Sequence, residues 1–157
     1  MEYNILIKKE ELTHQIDLRT HYHAESEKRK DINADIGETS LDDEELLDTF
    51  INKATNELIA SQSGRFPTIS CKIKNNYIDI SFIGSDETRN KQLPILKQAI
   101  TDYLVNELMT QWTLIRYPTW SQQYIAMRSE LTSQVRELFT IFCNRKIRRR
   151  PTNLAGI

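Results

Sequence analysis

The longest regular pattern of apolar positions runs from Pro118 to about Asn144. Trp120, Tyr124, Met127, Leu131, Val135, Leu138 and Phe142 recur at spacings of four, three, four, four, three and four, which places them on one face of a long helix. Gln122, Arg128, Ser129, Glu130, Gln134, Arg136 and Glu137 fall between them, so the other face is expected to meet water. Pro118 suits the first turn, where its missing N–H loses no partner. A preceding helix is expected from Leu93 or Pro94. Its apolar residues (Leu96, Ala99, Ile100, Tyr103, Leu104, Leu108, Met109, Trp112 and Ile115) form a wider arc, which marks it as the central element. Ile115-Arg116-Tyr117-Pro118 reverses the chain between the two.

A third helix opens at Ser40, which can cap a first turn made acidic by Asp42, Asp43, Glu44 and Glu45; negative charge there suits the helix dipole. Leu46, Leu47, Phe50, Ile51, Ala54, Leu58 and Ile59 carry its apolar face, and Ser61-Gln62-Ser63-Gly64 ends it. Ile69, Cys71 and Ile73 then alternate with polar residues, and so do Ile78, Ile80 and Phe82. The Asn75-Asn76 pair between them predicts a β-hairpin over 68–83. Two strands alone are marginal, so the hairpin must pack on helices or join a sheet supplied by a neighbour. Before residue 40 the pattern thins. Ile5-Leu6-Ile7 reads as a short apolar anchor, and Leu12 and Ile16 as a short helix. From His21 to Gly37 the polar run predicts a long loop or a fraying helix, with Ile32 and Ile36 as candidate anchors.

The expected fold is therefore mainly α: a bundle of three main helices plus a short N-terminal helix, with a β-hairpin insertion and extended terminal arms. The divisions are 1–39 (short helix and arm), 40–144 (helical core with the hairpin at 68–83) and 145–157 (basic arm). At 157 residues one domain is expected, long enough for a modest core.

Lys plus Arg (21) nearly balance Asp plus Glu (22), but the charges are segregated. Residues 38–48 carry six acids and no base, whereas residues 145–150 carry five bases and no acid. Such asymmetry points to complementarity between subunits or with a partner. Cys71 and Cys143 sit among apolar neighbours and are expected as small buried hydrophobes. Met1-Glu2-Tyr3-Asn4 opens no signal-peptide pattern and no apolar window reaches membrane-spanning length, so a soluble protein made in a reducing compartment is expected.

Candidate chemistry is sparse. His21 and His23, with Glu25 and Glu27, have the residue types of a metal site but no rigid support, so His14, His21 and His23 are expected at the surface. Carboxylates at Asp42–Glu45 are held charged by a helix start, the reverse of what a general acid needs. Glycines are isolated, so no phosphate loop is formed; no catalytic, cofactor or metal residue is assigned. Two groups are assigned as interfaces. One is charged: Arg145, Lys146, Arg148, Arg149, Arg150 and Pro151 on one side, Asp42, Asp43, Glu44 and Glu45 on the other. The second is the aromatic set Trp112, Tyr117, Trp120 and Tyr124 around the last turn, which can close the core end but also suits protein contact. The basic segment could alternatively bind phosphates non-specifically, as in a DNA-associated accessory protein.

The segments Leu41-Asp42-Asp43-Glu44-Glu45-Leu46-Leu47-Asp48-Thr49-Phe50, Thr101-Asp102-Tyr103-Leu104-Val105-Asn106-Glu107-Leu108 and Glu130-Leu131-Thr132-Ser133-Gln134-Val135-Arg136-Glu137-Leu138, closed by Arg145–Pro151, are similar in layout to a known family. Together, over residues 40–151, they resemble the head–tail connector, or neck-ring, proteins of tailed bacteriophages of gut Bacteroides-type hosts. The resemblance implies a structural virion protein in a homo-oligomeric ring, commonly of about twelve copies, around the DNA channel. It also implies the portal protein and a tail or second neck-ring protein as partners, docking through residues 145–157 and the polar N-terminal region. No membrane contact and no catalytic step is expected, and synthesis is expected in the host bacterial cytoplasm.

Overall fold

The computed structural model describes residues 1–30, 44–84 and 91–143. The chain opens with a strand, β1 (Glu2–Lys8), and passes directly into α1 (Lys9–Lys30). It continues through α2 (Glu44–Ser63), β2 (Ser70–Ile73), β3 (Tyr77–Ile83), α3 (Leu93–Arg116) and α4 (Pro118–Cys143). The fold is mainly helical, with one small antiparallel sheet of order β1-β3-β2.

β1 is not the short anchor expected from Ile5-Leu6-Ile7. Tyr3, Ile5 and Ile7 point inward while Glu2, Asn4, Leu6 and Lys8 face out, a strict alternation that Leu6 disguised as an apolar run. β1 pairs with β3 from Glu2 opposite Ile83 to Lys8 opposite Tyr77. The predicted hairpin is present, with Cys71 opposite Ile80 and Ile73 opposite Ile78. Its third strand comes from the same chain, so no neighbour is needed to complete the sheet.

α1 is also longer than the short helix expected, at 22 residues. Leu12, Ile16, Thr20, His23 and Ala24 are all buried, and their spacing keeps one continuous stripe against the body. The stripe escaped the apolar pattern because two of its members are polar. Thr20 hands its hydroxyl proton to the Asp17 carbonyl at 3.1 Å. Ile32, Ile36 and the expected start of α2 at Ser40 lie outside the described residues.

α3 is the central element, as its wide arc predicted. It packs on α1, α2, α4 and β1, and every residue from Tyr103 to Thr110 is buried. Only Tyr117 separates it from α4; its N–H donates to the Thr113 carbonyl at 2.8 Å, and Pro118 starts α4. Where the sheet meets the far end of α4, five aromatic rings interlock. Tyr3 stacks on Phe82 with centroids 5.3 Å apart, Phe82 meets Phe139 edge-on at 5.1 Å, and Phe66 and Phe142 complete the group. Gly84 lies against this cluster, where an added Cβ would fall within 2.8 Å of a Tyr3 ring carbon and 3.1 Å from the Phe142 carbonyl oxygen.

Candidate functional site

The α3–α4 pair supplies three features, built from residues the two helices place opposite one another. The first is an internal ion pair. Tyr124, Leu131, Val135, Phe139 and Phe142 are the buried large residues of α4, and position 128 lies on that same stripe between Tyr124 and Leu131. Arg128, expected to meet water, remains 43% exposed and also reaches inward. Its Nε donates to Glu107 Oε1 at 2.5 Å and its Nη2 to Oε2 at 3.0 Å. The Glu107 side chain is only 2% exposed, whereas that of Arg128 is 43% exposed, so the guanidinium reaches from the surface to neutralise a carboxylate set inside the bundle. The hydrogen bond to Glu107 holds the Arg128 pKa above its ordinary value. Nearby Tyr103 is pushed up to about 12, first by burial and then by the charges of Glu107 and Glu57, with Arg128 opposing. The register also differs from the predicted stripe: Phe139 is buried while Met127 is 46% exposed.

The second feature is the aromatic turn. Trp112 and Tyr124 are buried at 3% and 6% exposure, and Tyr117 and Trp120 are half-buried. Trp112 and Tyr124 thus belong to the core and offer no contact surface. What packs them is a histidine expected outside. His23 is 2% exposed; its Nε2 and the Tyr124 hydroxyl share a hydrogen bond of 2.5 Å. The His23 ring stands edge-on to Trp120 with centroids 4.3 Å apart. From α3, Asn106 Nδ2 donates to the Tyr124 carbonyl at 2.9 Å. Three helices are tied together here by polar side chains, which limits sliding between them. His14 and His21 are exposed as expected.

The third feature is a surface groove of about 610 Å³ between the N-terminal half of α3 and the C-terminal half of α4. Ile95, Ala99, Leu138 and Ile141 give it an apolar lining, to which Asp102 and Glu137 add carboxylates. Ile95 is 56% exposed and Ile141 38%. Both residues lie off the two stripes predicted from periodicity. Apolar residues left outside a core-facing arc were the signal that could have located the groove.

Of the other assigned residues, Arg145, Lys146, Arg148, Arg149, Arg150, Pro151, Asp42 and Asp43 lie outside the described residues. Glu44 begins α2, and Glu45 is exposed on its first turn. Cys71 and Cys143 are half-buried rather than fully buried. Burial, with Asp79 adding to it, pushes the Cys71 thiol up to about 11, so it stays protonated near neutral pH. Among the described residues no group of three or more His, Cys, Asp or Glu side chains could hold a metal, and no helix is long and apolar enough to cross a membrane. No family profile matches the chain, and no curated protein or solved structure matches it either.

Proposed function

We propose that this chain is a structural virion protein of a tailed bacteriophage, forming a homo-oligomeric ring that connects the capsid portal to the tail around the DNA channel. The observation that carries the reading is the separation of charge along a helical body. Six acids with no base occupy residues 38–48, at the start of α2, and five bases with no acid occupy residues 145–150, immediately after α4. Opposite charges at separate places on one chain favour a head-to-tail contact between copies, and such contacts close into rings when the rotation permits. The polar ties among α1, α3 and α4 suit a part whose task is mechanical. Its partners in this reading are the portal protein and a tail or second neck-ring protein.

The five bases favour one other reading, a DNA-associated accessory protein that uses them for non-specific phosphate contacts. Deleting residues 145–157 separates the two. A connector loses docking or ring assembly with little change in affinity for free DNA. A DNA-associated protein loses salt-sensitive DNA binding and keeps its self-association. For the leading reading, mass spectrometry of purified particles should find the chain in them, and imaging should place it at the capsid–tail junction. Its absence from purified particles would overturn the proposal.

A further inference from the structure

The groove between α3 and α4 combines an apolar lining with carboxylates. Its lining holds exposed isoleucines on both helices, Ile95 and Ile141, together with Asp102 and Glu137. A ligand that satisfies it needs a compact apolar group flanked by cations. The chain itself contains such a segment: Arg145-Lys146-Ile147-Arg148-Arg149-Arg150, one isoleucine with two bases before it and three after. We infer that the groove receives this segment from a second copy of the chain, with Ile147 against Ile95 and Ile141 and the flanking bases facing Asp102 and Glu137. The identity of the occupant as another copy rests on the assembly reading above, with the groove in place of the start of α2 as the acceptor of the bases.

One further observation bears on the source of the segment. The 14 residues from 144 to 157 can span up to ~45 Å, enough to reach an adjacent subunit. The acidic start of α2 is the rival acceptor; there Leu46 is 36% exposed, against Ile95 at 56% and Ile141 at 38% in the groove. Surface charge pairs set orientation and encounter rate, while burial of the isoleucine holds the contact.

The test uses the full chain with Ile147→p-benzoylphenylalanine, mixed as unlabelled and ¹⁵N-labelled copies, irradiated and read by mass spectrometry. Cross-links from position 147 to residues 94–102 or 134–141 of the oppositely labelled copy are expected. The double variant Asp102→Lys/Glu137→Lys, whose fold is verified by circular dichroism, should weaken self-association in sedimentation by roughly tenfold or more. Pairing it with an Arg148→Glu/Arg149→Glu chain should restore the contact. Cross-links confined to a single copy, cross-links outside the groove, or association unchanged by the double variant would each overturn the inference. Presence in purified particles tests the virion reading separately, so each can fail without the other.

Discussion

Arg128 on α4 engages both carboxylate oxygens of Glu107 on α3, at 2.5 and 3.0 Å, although Glu107 lies inside the bundle and Arg128 is still reached by water. The pair is unequal in its dependence. Arg128→Met leaves a carboxylate with no counter-charge where water cannot reach it. Breaking such pairs costs several kcal/mol, and about 3 kcal/mol is expected here because Arg128 is itself partly solvated. For a chain of this length that corresponds to a fall in Tm of roughly 6–12 °C. Glu107→Gln/Arg128→Met, which removes both charges, should recover most of the loss. Thermal unfolding of the wild type, the single variants and the double variant measures the coupling; additive losses would show that the two side chains act independently.

Gly84 and Gly64 form a matched pair for a second test. A methyl at Gly84 meets the Tyr3 ring and the Phe142 carbonyl, whereas nothing lies within 4 Å of a Cβ built at Gly64. Tyr3 cannot yield easily, because it is stacked on Phe82 and set edge-on to Phe142. Gly84→Ala should therefore destabilise by about 2 kcal/mol through overpacking. Gly64→Ala should be neutral or raise stability by up to about 1 kcal/mol, since it only restricts the unfolded chain. Urea midpoints of the two variants should move in different directions or by clearly different amounts.

These positions also explain what could and could not be read from the sequence. Periodicity located α3, α4, the hairpin and the reversal at Tyr117-Pro118, because their buried faces are mostly apolar and local in sequence. It missed β1, whose partner β3 lies far along the chain and whose outward Leu6 blurred the alternation. It lost the second half of α1 where Thr20 and His23 occupy core positions. The same cause hid the inward reach of Arg128. A polar residue can sit in a buried stripe when another element supplies its partner, and Glu107 and Tyr124 are such partners. Composition along one helix carries no trace of that pairing. Of the candidate site, the aromatic turn was visible as a cluster, but its burial depended on His23 arriving from α1.

The His23–Tyr124 bond is testable by deletion of a single oxygen. Tyr124→Phe keeps the ring against that of His23 and removes only the hydroxyl that meets His23 Nε2 at 2.5 Å. Loss of a buried hydrogen bond of this kind costs about 1–2 kcal/mol. His23→Phe/Tyr124→Phe replaces both polar partners with rings, so the double variant should be less destabilised than the sum of the single changes. Near-ultraviolet circular dichroism should also change in the single variants, because Trp120 stands edge-on to His23 at 4.3 Å. Additive stability changes would remove the bond from the account of how α1 is held.

Reactivity of the Cys71 thiol offers a fourth test. Burial and Asp79 push it up to about 11, so at pH 8 only about one thiol in a thousand is ionised, against roughly a quarter to a tenth for an ordinary cysteine. The intrinsic nucleophilicity of a more basic thiolate offsets part of that difference. In a Cys143→Ser background, reaction of the folded chain with a disulfide reagent at pH 8 should be at least roughly tenfold slower than that of the urea-unfolded chain. Equal rates would mean that Cys71 is solvated like a free thiol.

Alkaline stability isolates Tyr103. Its phenol is pushed up to about 12 in the folded protein, by burial first and then by Glu107 and Glu57, whereas an unfolded tyrosine titrates near about 10. The protonated phenol therefore favours the folded state. That contribution is fully present below about pH 10 and is lost as pH rises through about 12, because the unfolded chain ionises first and is stabilised by doing so. Tyr103→Phe has no proton to lose. Its stability relative to the wild type should be constant from pH 7 to about 9.5 and should then rise steadily toward pH 11.5. Urea unfolding of both proteins across that range measures the difference, with phenolate absorbance confirming which tyrosines ionise in the folded state. A difference that stays flat above pH 10 would mean that Tyr103 titrates as it does in the unfolded chain.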